Sequence, residues 1–239
     1  MRAIVLVFVY PLVLLWMTIS CLTGVVTSVI LRLPEFTLGF VPGKMWAPLT
    51  MWLLGIKVKV IGLENIDKEK HGIFVSNHGS YLDIPVSVMS IPLNLNFFVK
   101  EELRHVPVVG WYISATKQIF VDRKNRTRAM KSMQEAARRI NAGKNVLSYA
   151  EGSRSKDGAI QTFRRGAFII AKEGDVRITP FAIQGAHECL PPKSFFTRRG
   201  TITLVIGEAF RPSDFPDKSV EKLAEFTRQK VIALQASVR

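Results

Sequence analysis

Between Arg2 and Arg32 stand 29 consecutive residues, 3–31, without one charged side chain. As a helix that run reaches roughly 43 Å, more than the hydrocarbon thickness of a bilayer, so one end of this chain is built to fold against lipid. It is longer than the apolar region of a secretory signal and no small-x-small site closes it, so it reads as a retained anchor rather than a cleaved leader. Pro11 and Gly24 permit a bent course, and Arg2 and Arg32 flank the run about equally, which leaves crossing and re-entry both open. Residues 36–56 then carry a single charge, Lys44, with Pro42-Gly43 expected to interrupt the segment and Trp46 and Trp52 placed as interface anchors. The piece 44–56 is too short to span. It reads as an interfacial helix packed beside the first, with a buried soluble helix as the alternative.

Charge divides the chain in the same place. Of a net +14, residues 1–56 carry only Arg2, Arg32, Lys44 and Glu35, so nearly all the excess lies in 57–239. A hydrophobic content of 48% excludes disorder as a general description. The two cysteines, Cys21 and Cys189, make no disulfide framework, which fits a reducing, cytoplasm-facing location.

From Ile56 the period changes. Ile56, Val58 and Val60 alternate with Lys57 and Lys59, the pattern of a half-buried strand, and further short apolar runs follow at 72–75, 95–99, 118–121, 145–149, 177–183 and 201–206. Helical patterns fall between them. In 127–142, Met130, Met133, Ala137 and Ile140 form one face and Gly143 is the stop; 81–89, 164–172 and 219–234 are the others. Alternating strands and helices predict an α/β fold, a mixed, largely parallel sheet flanked by helices. An N-terminal membrane-embedded two-helix segment, 1–56, is expected to precede this α/β domain, 57–239.

The chemistry begins just past the second strand, at Ser76-Asn77-His78-Gly79-Ser80-Tyr81-Leu82-Asp83. A histidine there, with a carboxylate five residues on at the start of a helix, allows Asp83 to fold back and hold one ring nitrogen while the other serves as a base. By itself this spacing is also that of a helix-capping carboxylate beside a surface imidazole. Glu151-Gly152-Ser153-Arg154 likewise follows a strand, and Arg123 ends another. Loops at the carboxyl ends of parallel strands gather at one edge, so His78, Arg123 and Arg154 are candidates for one crevice. Two guanidinium forks there suit a phosphate, with Gly152 permitting close backbone approach. Glu151 reads as a group that orients an arginine or a loop. Ser76 and Ser80 lack the Gly-x-Ser-x-Gly setting of a strained nucleophile, which argues against a serine hydrolase. His71, His105 and His187 have no companion ligands at usable spacing, so no metal is expected. Trp111 and Tyr112 read as core or membrane-facing aromatics.

Asn77-His78-x4-Asp83, the run Ile119 to Arg123, Glu151-Gly152-Ser153-Arg154 and the run Arg177 to Ile183 resemble, in order, the four motifs of the glycerolipid acyltransferases, most nearly the bacterial 1-acylglycerol-3-phosphate acyltransferases. Phe163-Arg164-Arg165-Gly166 is similar to the basic element that follows the third motif, which makes Arg164 and Arg165 supporting candidates. Thr179 stands where proline is common, and Ser153 where threonine is a frequent alternative; neither change removes a charge or a base. The resemblance implies acyl transfer from acyl-CoA or acyl carrier protein to the hydroxyl of a lysophosphatidate, giving phosphatidate. It implies His78 and Asp83 as catalytic residues, Arg123, Arg154, Gly152 and Ser153 around the acceptor phosphate, and no cofactor besides the acyl donor. Another lysolipid or glycerol-3-phosphate as acceptor remains an alternative, as does a non-enzymatic basic lipid-binding module.

The basic cluster Lys117, Arg123, Lys124, Arg126, Arg128, Lys131, Arg138 and Arg139 raises the question of nucleic acid. No nucleic-acid module motif is present, and basic surface beside an apolar anchor attracts anionic membrane lipid. The expected partners are the lysophospholipid and acyl donor that the resemblance implies, together with anionic lipid, with the catalytic domain on the cytoplasmic face of the inner membrane.

Overall fold

The computed structural model describes residues 5–122, 124–215 and 219–238. Its strands are β1 (Ile56–Ile61), β2 (Ile73–Ser76), β3 (Leu95–Lys100), β4 (Ile119–Val121), β5 (Asn145–Tyr149), β6 (Ile178–Gln184) and β7 (Gly200–Ile206). All the strand segments expected from the apolar runs are present. They form one sheet in the order β1-β7-β6-β2-β5-β3-β4. Strands β6, β2, β5, β3 and β4 run parallel; β7 is antiparallel to β6 and carries β1 parallel to itself. The helices are α1 (Val7–Ile30), α2 (34–53), α3 (Asp83–Ser90), α4 (Val109–Ala115), α5 (Arg126–Asn141), α6 (Gly166–Glu173), α7 (Ala186–Cys189) and α8 (Val220–Ala236).

Strand alternation sorts the core onto two faces. Ile73, Val75, Val146, Ile178 and Ala182 point to one side, where Ala136 and Ile140 of α5, Phe168 and Ile170 of α6 and Val231 of α8 cover them. Phe74, Leu147, Phe181 and Ile183 point to the other, against Val86 of α3 and Met51 of α2. With both faces covered, β2 is buried at every position, which is why its sequence, Ile73-Phe74-Val75, shows no polar alternation. Helix α5 starts where the Asn125 side chain accepts from the Arg128 N–H and stops before Gly143, whose φ of +80° is left-handed.

Helices α1 and α2 form a hairpin. The chain turns at Arg32, with φ +55°, and the Thr27 and Thr37 hydroxyls meet across it at 2.8 Å. Pro42-Gly43 does not break the second helix, contrary to expectation. The helix runs on through a wide π-helical turn, Val41–Trp46, into Ala47–Leu53. A wide turn accommodates a residue without an N–H and with a ring that crowds the preceding carbonyl. Gly43 meanwhile lies against the backbone carbonyl of Val88, where a Cβ has no room, so α2 packs directly on α3.

Among the described residues one helix, α1, is long and apolar enough to cross a membrane by length and composition. Its outer face leaves Val7, Phe8, Leu12, Leu14, Leu15 and Ile30 more than half exposed to the surroundings. Burying such a side chain is worth about 1.5–3 kcal/mol, so a row of them left open makes a surface suited to an apolar surrounding. The chain therefore carries an N-terminal apolar helix suited to membrane association.

Candidate active site

The carboxyl ends of β2 and β5, paired at Ser76 and Tyr149, place the loops that follow them side by side. The Ala150 N–H donates to the Ser76 carbonyl, and the Ser155 N–H donates to the His78 carbonyl at 2.7 Å, so the Glu151 loop continues along the His78 loop after the ladder ends. Asn77 fastens the other side: its amide donates to the Ile183 carbonyl at 3.0 Å and its Oδ1 accepts from the Ile183 N–H at 2.9 Å.

Asp83 opens α3 and is wholly buried. Its Oδ2 accepts from the Gly79 and Ser80 N–H groups at 2.8 and 2.9 Å and lies 2.7 Å from Nδ1 of His78. A carboxylate only accepts, so Nδ1 carries the proton and the lone pair stands on Nε2. The ring of Tyr149 stacks on the imidazole, with centroids 4.3 Å apart and planes within 11°. The Tyr149 hydroxyl is itself fixed by the Ser87 hydroxyl at 3.0 Å, and burial raises its pKa well above the usual value. His78 is thus held at one ring edge by a carboxylate and over one ring face by an aromatic plane. The side chain keeps 15% of its surface open.

Glu151 is buried and clamps the backbone. Its Oε1 accepts from the His78 N–H at 2.7 Å and its Oε2 from the Gln161 N–H at 3.1 Å. Burial pushes its carboxyl pKa up to about 7 in spite of those two bonds. A raised folded-state pKa means the native chain holds a proton that the unfolded chain has already lost, so this contribution to stability is complete below the ordinary carboxylate range and is lost as pH rises through 7. Thermal unfolding in detergent is expected to show stability declining between about pH 5 and pH 8. Glu151→Gln is expected to flatten that limb; an unchanged slope would show that Glu151 does not set it.

A family model described as acyltransferase matches residues 57–184. The chain belongs to the acyltransferase family. The matched segment carries His78, Asp83 and Glu151 together with six of the seven strands. In structure this acyltransferase is similar to the 1-acyl-sn-glycerophosphate acyltransferase PlsC of Thermotoga maritima, at 25% identity and a TM-score of 0.75 over 94% of this chain and 95% of that one. In sequence it is 30% identical to a 1-acyl-sn-glycerol-3-phosphate acyltransferase of Chlamydomonas reinhardtii over 177 residues, 73% of this chain and 52% of that one. It is 27% identical to the Saccharomyces cerevisiae 1-acyl-sn-glycerol-3-phosphate acyltransferase over 183 residues, 75% of this chain and 60% of that one. The acyltransferase thus spans about half to three-fifths of the length of these two curated relatives.

The other residues singled out by sequence are distributed unevenly around His78. Arg154 lies with its guanidinium carbon 3.5 Å from the centre of the Tyr81 ring, inside the turn between His78 and Asp83. Gly152 has a left-handed φ of +73°, and the stem of Arg164 covers the place where its Cβ would stand. Arg164 Nε donates to the Glu151 carbonyl at 3.2 Å, so the close approach that Gly152 permits is filled by this chain's own arginine. Ser153 is exposed beside it. Arg165 turns elsewhere, to Glu221 of α8 at 3.0 Å. Arg123 lies outside the described residues; β4, which precedes it, ends three strands from β2, about 14 Å at ordinary strand spacing. Tyr149 and Tyr81 were not foreseen as functional. The sequence signal for Tyr149 is an aromatic closing a buried strand two residues before Glu151, and only the pairing of Ser76 with Tyr149 turns it into a neighbour of His78.

Proposed function

We propose that this acyltransferase moves a fatty acyl chain from an acyl thioester, acyl-CoA or acyl carrier protein, to the sn-2 hydroxyl of lysophosphatidate, giving phosphatidate. The observation that carries the reading is the 2.7 Å pairing of His78 Nδ1 with buried Asp83, which leaves Nε2 as an oriented base in a chain whose relatives bear that name. The acceptor hydroxyl gives its proton to Nε2 as its oxygen bonds to the thioester carbonyl carbon; the C–S bond then breaks and the proton passes to the leaving thiolate. Asp83 supports the imidazolium that exists between those events. No acyl-enzyme is needed. Arg154, placed over the Tyr81 ring, is proposed to hold the acceptor phosphate, with Arg123 as its companion from the sequence motif.

The membrane-embedded segment serves the same chemistry. Lysophosphatidate and phosphatidate keep their tails in the bilayer, and each CH₂ brought into water costs about 0.8 kcal/mol. Helix α1 touches the rest of the protein at both ends: the Tyr10 hydroxyl bonds that of Thr197 at 2.7 Å, and Gly24 packs against the Tyr112 ring with no space for a Cβ. Those points are about 21 Å apart along the helix. A helix held at both ends lies along the protein, which supports attachment from one side, with the basic domain on the cytoplasmic leaflet. The protein is expected to stay with membranes through high salt and alkaline carbonate and to leave only with detergent. Release by salt or carbonate alone would mean electrostatic attachment and would contradict embedding.

The purified protein, assayed with lysophosphatidate, other lysophospholipids and glycerol-3-phosphate, each paired with acyl-CoA and acyl carrier protein, tests the reaction directly. Lysophosphatidate is expected to be the preferred acceptor. Preference for another acceptor would reassign the substrate, and no transfer to any would favour a binding module.

A further inference from the structure

We infer that the loop 190–199 is a membrane-docking finger that inserts the side chains of Phe195 and Phe196 among the lipids beside the active site, with an anionic bilayer as its partner. The loop leaves the same sheet edge as His78. At its root Leu190 accepts from the Ser80 hydroxyl at 2.8 Å, and at its far end Gly200 pairs with Ile56, the residue that follows the α1–α2 hairpin into the sheet.

It is an ordered projection. The Arg198 N–H donates to the Cys189 carbonyl at 2.7 Å and closes the base, while at the tip the Ser194 hydroxyl donates to the Phe196 carbonyl at 3.2 Å and accepts from the Phe196 N–H at 3.0 Å. This presents Phe195 with 77% of its surface open, the highest exposure of any large apolar side chain described, and Phe196 with 39%. Lys193, Arg198 and Arg199 are exposed around them, and 190–199 contains no acidic residue.

Continuity decides the occupant. The loop is bonded to the apolar helix α1 through Tyr10, whose hydroxyl meets the Thr197 Oγ1 and also accepts the Thr197 N–H at 3.1 Å. On its other flank the stem of Arg199 lies against Gly55, three residues past Trp52, which is 73% exposed. Two aromatic side chains ringed by cations, joined to a lipid-facing helix, match the interfacial pattern of apolar residues below and Lys/Arg at the headgroups. A finger there brings the bilayer surface to the mouth of the His78 loop, so the inference deepens the proposed reaction and rests on the membrane attachment argued for it.

The test uses the full-length protein in vesicles of phosphatidylglycerol and phosphatidylcholine in equal parts, with benzoylphenylalanine placed at position 195 or, as control, at Lys172 on the C-terminal turn of α6, exposed at the opposite edge of the sheet. Irradiation is expected to add a phospholipid mass at 195 and little at 172. Absence of a lipid adduct at 195, equal adducts at both positions, or capture of added acyl carrier protein in place of lipid would overturn the inference. A second measurement reads function: Phe195→Asp with Phe196→Asp is expected to lower turnover of vesicle-borne lysophosphatidate about tenfold while changing turnover in detergent micelles less than about twofold. Equal loss in both media would make the loop part of the catalytic fold, and no loss in vesicles would remove its role in docking. The photochemical result does not depend on the identity of the acceptor, so failure of the proposed reaction and failure of the finger are told apart.

Discussion

Replacing His78 by alanine is expected to lower kcat for acyl transfer by about 10²- to 10⁴-fold, the range for loss of a positioned general base, while acceptor KM and membrane attachment stay near their starting values. The side chain supplies one end of a 2.7 Å pair, and its backbone N–H and carbonyl, which an alanine keeps, make the bonds to Glu151 and Ser155 that hold the loop. The fold therefore has little stake in the imidazole itself. Asp83 is different. Its Oδ2 serves the Gly79 and Ser80 N–H groups as well as His78, so Asp83→Ala leaves buried donors unpaired at about 1–3 kcal/mol each and confounds folding with chemistry. Asp83→Asn keeps an acceptor for those donors but removes the charge that supports the imidazolium. It is expected to cost less than His78→Ala, with unfolding temperature little changed. Full activity in folded His78→Ala protein would remove the general base from the mechanism.

The second large effect is expected at Arg154. Its guanidinium carbon sits 3.5 Å from the centre of the Tyr81 ring, within the turn that joins His78 to Asp83, so the charge is held near the base. A charged hydrogen bond lost from a phosphate is worth about 1.5–3 kcal/mol, so Arg154→Ala should raise the acceptor KM about 10- to 100-fold with a smaller change in kcat. Arg154→Lys should recover only part, because an ammonium neither stacks on the ring as a plane nor grips two oxygens at once. Tyr81→Leu should move KM in the same direction and by less, since it removes the platform and keeps the fork. Steady-state kinetics with varied acceptor and varied donor checks all three. A rise confined to the donor KM would assign Arg154 to the CoA or carrier-protein side.

Much of this fold is legible in the sequence because both faces of the sheet are covered. Strands such as Ile73-Phe74-Val75 and Ile178 to Ile183 then read as apolar runs bounded by turns, and α5 shows its inward face at Met133, Ala137 and Ile140. Strand order is not legible, since β1 finds β7 across more than a hundred residues through pairs such as Val58 with Ile202. The continuity of α2 through Pro42 was hidden for a related reason: a proline signals an interruption in isolation, and the packing of Gly43 on the Val88 carbonyl belongs to the folded chain. In the site, the local pair His78 and Asp83 could be read from spacing because five residues and one turn bring them together. The stack of His78 on Tyr149, the cover of Gly152 by Arg164 and the departure of Arg165 to Glu221 depend on register and on which way a side chain leaves the start of α6. Two adjacent arginines with one sequence signature end at different places for that reason.

Rapid-quench analysis of wild-type protein mixed with acyl-labelled thioester and lysophosphatidate tests direct transfer at His78 most closely. Label is expected to pass to phosphatidate in step with release of free thiol, with no acylated protein at any time and with transfer by His78→Ala slowed by about 10²- to 10⁴-fold. Label trapped on the protein before phosphatidate forms, or released as free fatty acid in place of it, would contradict direct attack by the acceptor hydroxyl.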